Sequence, residues 1–310
     1  MPNHSEFIQR ALELARRGEG HTRPNPPVGA VLVSEGRIIG EGYHHRAGLP
    51  HAEVMAIKNA KSAKGATLYV TLEPCSKPGR VGACTDAIIK AGIKEVIYAV
   101  EDPNPKNRGR AKRVLAEYGI GCTQFPSEDC EKLISPFRKH VTTSLPYVTV
   151  KLAMSLDGKI CDDRGNAKWV SSAAARKATG KLRERVDAIM VGAETIRRDN
   201  PSLLSHGKRN DDLMRVVVSA SGKLPKKSQV FTDGAQNDTL VFPDAELAVR
   251  ELGKLGVLHV LCEGGLKLAT SLAEAGLVDE WITVLAPKVI GTHAIDDAIV
   301  IKNFKGYEDK

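Results

Sequence analysis

No apolar run in this sequence of 310 residues approaches the roughly 18 that a bilayer span requires, so no membrane partner is expected. The N-terminal stretch MPNHSEFIQRALELARR lacks the apolar block and small-residue cleavage site of a secretory signal, which makes the cytoplasm the expected location. Cysteine is scarce: the six residues, at 75, 84, 122, 130, 161 and 262, are too dispersed for a disulfide scaffold. Metal ligation or burial as thiols is expected instead. There is no internal repeat between the two halves and no low-complexity segment. No G-x-G-x-x-G opens the second half, which leaves a Rossmann dinucleotide site without support there.

What is present is the composition of a globular protein, 42% hydrophobic and 26% charged. A chain of this length divides most naturally into two cores of about 150 residues. The formal charge of +8 is uneven: residues 1–144 carry 21 lysines and arginines against 15 acidic residues, and the rest 24 against 22. Such an excess fits a phosphorylated metabolite and also fits RNA, and most excesses of this size are simply solvated surface. The most basic segment, PNPKNRGRAKR, has no interleaved aromatics on which bases could stack, so no nucleic-acid partner is expected.

Apolar spacing predicts a helix over Glu6–Arg17, stopped by Gly18 and Gly20, then a hairpin turning at Glu35-Gly36. ATLYVTLEP and EVIYAVED suit buried strands, with CTDAIIKAG and GRAKRVLAEYG as helices, an alternation that implies a sheet between helices. The polar stretch VTTSLP places a boundary near residue 144. Beyond it, strands are expected in YVTVKLAM, DAIMVGA, MRVVVSA, TLVFP, VLHVLCEGG and EWITVLAPKV. Helices are expected in SAAARKATGKLRER, AELAVRELGKLG and LKLATSLAEAG, making a second α/β unit.

His51-Ala52-Glu53 sits where a helix begins, and LEPCSKPGRVGAC follows with Cys75 after a strand and Cys84 opening the next helix. Catalytic zinc takes three protein ligands and needs a separate carboxylate to move protons. A helix starting just after Pro50 would put His51 in its first turn, with Glu53 pointing elsewhere on the axis. Each residue alone has an ordinary structural reading. Together they follow the order H-x-E…P-C…C of zinc nucleobase deaminases, with eight residues between the cysteines where the common form has two. In the second half, CEGGLKLATSLAEAG reads as strand, two glycines and a helix whose free N–H groups could receive a phosphate.

HAE…TLEPCS…GR…C, preceded by PNPPVGAVLV and GEGYHHRAG, resembles the bifunctional riboflavin-biosynthesis deaminase/reductase family. VTVKLAMSLDGKI, LRERVDAIMVGAETIRRDNP, EGGLKLATSLAEAGLVDE and APKVIG extend the likeness through the second half. The resemblance implies a cytidine-deaminase-like three-layer α/β/α domain at 1–144, followed by a dihydrofolate-reductase-like α/β domain at 145–310. It implies zinc on His51, Cys75 and Cys84, with Glu53 as the proton shuttle, and NADPH in the second domain. Asn25, His44, Lys77 and Arg80 would meet a phosphorylated pyrimidine. Ala153, Trp169, Thr195, Asp199, Gly264 and Gly265 would contact NADPH, while Arg183, Leu203 and Glu263 would lie near the ribose phosphate or its reacting carbon. A homo-oligomer is expected.

The chain departs from the family pattern at Lys77, where a histidine follows PCS, and at RVGAC, Ala167, His206 and VSASG. It ends at NFKGYEDK, where one or two further strands are expected. These departures leave room for an alternative in which only the deaminase is active and the second domain is a degenerate scaffold or dimerisation module.

Overall fold

The computed structural model describes residues 3–77, 82–164, 170–205, 213–235, 238–291 and 299–300. The chain divides into two compact units, one of Met1–Pro146 with Gly256–Leu258, the other formed by the rest.

The first unit opens with α1 (His4–Ala15), whose N-cap Asn3 accepts from the Glu6 N–H and whose buried face carries Phe7, Ile8, Ala11 and Leu12. The hairpin of β1 (Gly29–Ser34) and β2 (Arg37–Tyr43) turns on Glu35 and Gly36, both left-handed at φ 49° and 74°. There follow α2 (Ala52–Lys58), β3 (Thr67–Leu72), α3 (Cys84–Lys90), β4 (Glu95–Val100), α4 (Arg110–Ala116), β5 (Gly121–Gln124) and α5 (Glu128–Thr143). The sheet order is β2-β1-β3-β4-β5, with β1 antiparallel to both neighbours and β3, β4 and β5 parallel.

Strand alternation sorts two cores. Val31, Val33, Tyr69 and Ile97 pack with α1 and with Cys130, Leu133 and Ile134 of α5 on one face. Ala30, Leu32, Leu68 and Val96 pack on the other with Ala52 and Ala56 of α2, Ile88 of α3 and Leu115 of α4. The result is the three-layer α/β/α arrangement expected for this half.

β5 and α5 are not apparent in the sequence pattern. β5 has four residues, of which only Cys122 is buried. α5 contains Pro136 and runs into the polar stretch read as a linker, ending at Ser144 in a left-handed cap. Its buried set Cys130, Leu133, Ile134 and Phe137 nevertheless keeps helical spacing.

The second unit comprises β6 (Tyr147–Ser155), α6 (Ala173–Arg183), β7 (Ala188–Gly192), α7 (Ala193–Asp199), β8 (Met214–Val218), α8 (Gln229–Thr232), β9 (Thr239–Phe242), α9 (Ala245–Lys254), β10 (His259–Cys262), α10 (Leu266–Glu274) and β11 (Glu280–Ala286). Its six-stranded sheet, ordered β11-β6-β10-β7-β8-β9, is parallel at every pairing. The segment read as one strand, EWITVLAPKV, divides at Pro287 into β11 and β12 (Lys288–Val289); β12 pairs antiparallel with β13 (Ile299–Val300). Proline has no N–H to give a ladder, so the strand changes partner there.

Arg215 of β8 is fully buried and bonds Asp233 twice, at 2.7 and 2.9 Å, as well as the carbonyls of Ser202, Val230 and Ala235. One guanidinium thereby ties together the loops that follow α7 and α8.

Two glycines let α2 lie directly on β2. A Cβ at Gly40 would stand 2.3 Å from the Ala56 carbonyl oxygen, and one at Gly42 would stand 2.5 Å from the Ala56 nitrogen. Gly42→Ala should therefore destabilise the protein by roughly 1–3 kcal/mol in thermal denaturation. Gly121→Ala, whose added Cβ meets its nearest atom at 3.5 Å, should change the transition far less.

Candidate active sites

Three segments converge in the first unit. His51 is the N-cap of α2, with extended backbone at φ −72° and ψ 166°, so it precedes the first turn in which the sequence reading placed it. Cys75 lies in the loop after β3, and Cys84 is the first residue of α3. His51 Nδ1 is 3.2 Å from Cys84 Sγ and 3.6 Å from Cys75 Sγ. All three donor atoms lie within 4.8 Å of one another. A tetrahedral zinc with ordinary bond lengths separates its N and S ligands by about 3.5 Å, so the donor set fits that ion and leaves a fourth corner free.

The electrostatics fit the same reading. The Cys84 thiol and backbone N–H and the His51 ring pull the Cys75 thiol down to about 4, against the effect of burial. Cys84, which shares its proton with Cys75 and is buried beside Glu53, is pushed well up. His51 is raised by its bond to Cys75. Glu53, 3% exposed, is raised mainly by burial and further by the Cys75 charge. Burial beside the Cys75 charge thus favours the protonated carboxyl, the form that can hand a proton on.

Asn25 and His44 adjoin this cluster, the His44 ring standing edge-on to His51 with centroids 5.0 Å apart. His44 Nδ1 is 3.2 Å from the Pro50 carbonyl, and Nε2 is 3.0 Å from Asn25 Nδ2. A carbonyl only accepts, so Nδ1 carries the proton, Nε2 accepts, and the Asn25 amide nitrogen donates to it. Burial lowers the His44 pKa and favours this neutral ring. Asn25 is left with its Oδ1 as an acceptor.

A cavity of about 320 Å³ opens beside His51, lined also by Pro50, Val54, Gly82, Ala83 and Asp86. Lys77 is exposed two residues beyond Cys75. Arg80 and Trp169 lie outside the described residues.

In the second unit a cavity of about 630 Å³ gathers Ala153, Arg183, Thr195, Asp199, Glu263, Gly264 and Gly265. A neighbouring one of about 930 Å³ shares Thr195, Asp199 and Gly265 and adds Arg197, Arg198 and Lys267. Gly264 is tight, since a Cβ there would come within 2.6 Å of Leu268 Cδ2, whereas Gly265 faces open space as the N-cap of α10. Arg183 grips Glu263 at both carboxylate oxygens, at 2.6 and 2.9 Å, and gives a third bond to the Leu204 carbonyl at 3.1 Å. Its guanidinium is thus largely committed within the protein.

Leu203 does not line either cavity; its side chain is buried with Ile196, Val217 and Val230, at a left-handed φ of 56°. Only its backbone and its cavity-lining neighbours, Ser202 and Leu204, are placed to meet a ligand. Lys151 of β6, which the sequence reading passed over, lines the 630 Å³ cavity with its pKa lowered by burial. It sits in an ordinary-looking alternating strand, and nothing in the local pattern marks it.

Residues 146–302 match the family profile described as RibD C-terminal domain, and residues 1–100 that of the cytidine and deoxycytidylate deaminase zinc-binding region. The chain is 39% identical to the riboflavin biosynthesis protein RibD of Bacillus amyloliquefaciens, over 98% of this chain and 90% of that one. It is 37% identical to the protein of that name from Aquifex aeolicus, over 92% of this chain and 87% of that one. Among solved structures it is similar to the diaminohydroxyphosphoribosylaminopyrimidine deaminase/5-amino-6-(5-phosphoribosylamino)uracil reductase of Thermotoga maritima. That likeness has a TM-score of 0.86 and 36% identity, covering 94% of this chain and 88% of that one.

Cys84→Ser should lower zinc content well below one ion per chain by elemental analysis, because a serine hydroxyl does not replace a thiolate for this ion. Full zinc occupancy in that variant would remove Cys84 from the ligand set.

Proposed function

The chain belongs to the RibD family of riboflavin-biosynthesis proteins, and from that membership we propose how its own residues divide the work. It is a bifunctional enzyme, a zinc-dependent pyrimidine deaminase joined to a reductase that uses NADPH. Residues 1–144 are assigned to hydrolysis of an amino group of 2,5-diamino-6-ribosylamino-4(3H)-pyrimidinone 5′-phosphate. Residues 145–310 are assigned to reduction of the ribose of 5-amino-6-(5-phosphoribosylamino)uracil to the ribityl chain.

The observation that carries the first assignment is the meeting of His51 Nδ1, Cys75 Sγ and Cys84 Sγ beside the buried Glu53. Zinc, when bound, supplies the Lewis acidity that makes water nucleophilic near neutral pH. Glu53 takes the proton of the attacking water and delivers it to the departing amine, so its raised pKa suits both halves of the transfer. Asn25 Oδ1 accepts from a pyrimidine N–H, and His44 holds the amide that way round. Lys77 and Arg80 are assigned to the phosphorylated end of the substrate.

In the second unit, NADPH supplies a hydride when bound, and the protein's task is to position two ligands. Ala153, Thr195, Asp199, Gly264 and Gly265 line the 630 Å³ cavity and are assigned to the cofactor, with Trp169 assigned there from the sequence. Arg183, Glu263 and the backbone around Leu203 are assigned to the ribose phosphate or its reacting carbon, Arg183 and Glu263 being paired through both carboxylate oxygens. A degenerate second domain is less well supported, because the cavity and its glycine turn are both present.

The natural partners are small phosphorylated pyrimidines. A homo-oligomer without nucleic-acid or membrane partners, in the cytoplasm, completes the proposal; among the described residues no helix is long and apolar enough to cross a membrane.

Glu53→Gln should retain zinc but lose ammonia release by about 10²-fold or more, while NADPH oxidation with the deaminated substrate continues at the parental rate. Parental ammonia release in that variant would place the proton transfer on another group.

A further inference from the structure

We propose that Asn107 is a positioning residue for the zinc centre, its amide fixing the turn that carries Cys75. The inference rests on the zinc-deaminase reading and concerns a residue outside the ligand motif, 31 positions beyond Ser76.

Asn107 is 7% exposed, and both ends of its amide are engaged. Oδ1 accepts from the Ser76 backbone N–H at 2.8 Å and from the Ser76 hydroxyl at 3.1 Å. Nδ2 donates to Asp102 Oδ2 at 2.8 Å and to the Pro74 carbonyl at 3.4 Å. The Ser76 N–H can only donate and the Pro74 carbonyl can only accept, so the amide has one orientation. The Cys75 carbonyl is held separately, by the Thr85 N–H at 3.1 Å. Pro74, Cys75 and Ser76 therefore each have a main-chain polar group pinned, which sets where the Cys75 sulfur points.

The anchor is itself anchored. Asp102 Oδ1 accepts from the Asn104 N–H at 2.8 Å, and the buried carboxylate of Glu73 accepts from the N–H groups of Asp102, Gly109 and Ala111. The 102–109 loop is thus fastened at both ends to the residue that begins the ligand turn. A turn freed from Asn107 lets Cys75 swing away from His51 and Cys84, and the ion leaves by that route. Groups that orient a ligand in this way typically contribute 10–100-fold to metal affinity.

The test uses the full chain loaded with zinc and follows release of the ion to a coloured chelator. Asn107→Ala should release zinc at least tenfold faster than the parent, with the rate of NADPH oxidation unchanged. Exchanging amide and carboxylate, Asn107→Asp with Asp102→Asn, restores the bond between the two positions and should return the rate toward the parental one. Should Asn107→Ala fail to fold, the isosteric Asn107→Asp alone carries the same expectation of faster release. Parental release from the single variants would overturn the inference while leaving the deaminase reading intact. A parent chain that holds no zinc would overturn that reading instead.

Discussion

Two thiols, an imidazole and a carboxyl share one corner of the first unit, Cys84 and Glu53 buried and His51 and Cys75 half-buried, and the design of that unit follows from having to hold them there. Buried charge in an apolar interior is costly unless something of opposite sign meets it. Here the Cys75 thiol is pulled down and the Cys84 thiol pushed up, and burial drives the Glu53 carboxyl toward its neutral form. A divalent cation held by both sulfurs would offset that charge, and the cluster suits such an ion.

Holding the corner requires close approach of backbone. Gly40 and Gly42 let α2 rest on β2, so that His51 and Glu53 arrive at a fixed height above the sheet. The parallel strands β3 and β4 deliver Glu73 to Ser76 and Asp102 to the same end, the usual place for a ligand in an α/β sheet. In the second unit the same geometry recurs with other chemistry. The ends of β7 and β10 lead into α7 and α10, and the Arg183–Glu263 pair lines the cavity.

Much of this was legible from residues alone. α1, the Glu35-Gly36 hairpin and the buried strands follow from periodicity and turn chemistry, and the ligand order H-x-E…P-C…C marked the metal cluster. What escaped did so for identifiable reasons. β5 buries a single side chain and has no pattern to detect, while α5 contains a proline and ends in residues that look like a linker. Pro287 breaks a run that hydrophobicity alone makes continuous. The Leu203 side chain is buried, and motif position says which segment approaches a ligand and not which way a side chain faces. Lys151 and Asn107 are polar residues whose role depends on contacts far away in sequence, and no local period encodes such contacts.

The central claim is that one chain removes an amine with its first unit and reduces the sugar with its second. The most direct test supplies the purified chain with zinc, NADPH and the phosphorylated diaminopyrimidinone, and records ammonia and nicotinamide absorbance together. The account predicts ammonia first and NADPH oxidation after it, in equal final amounts. Ammonia release with no NADPH oxidation at any enzyme concentration would contradict it.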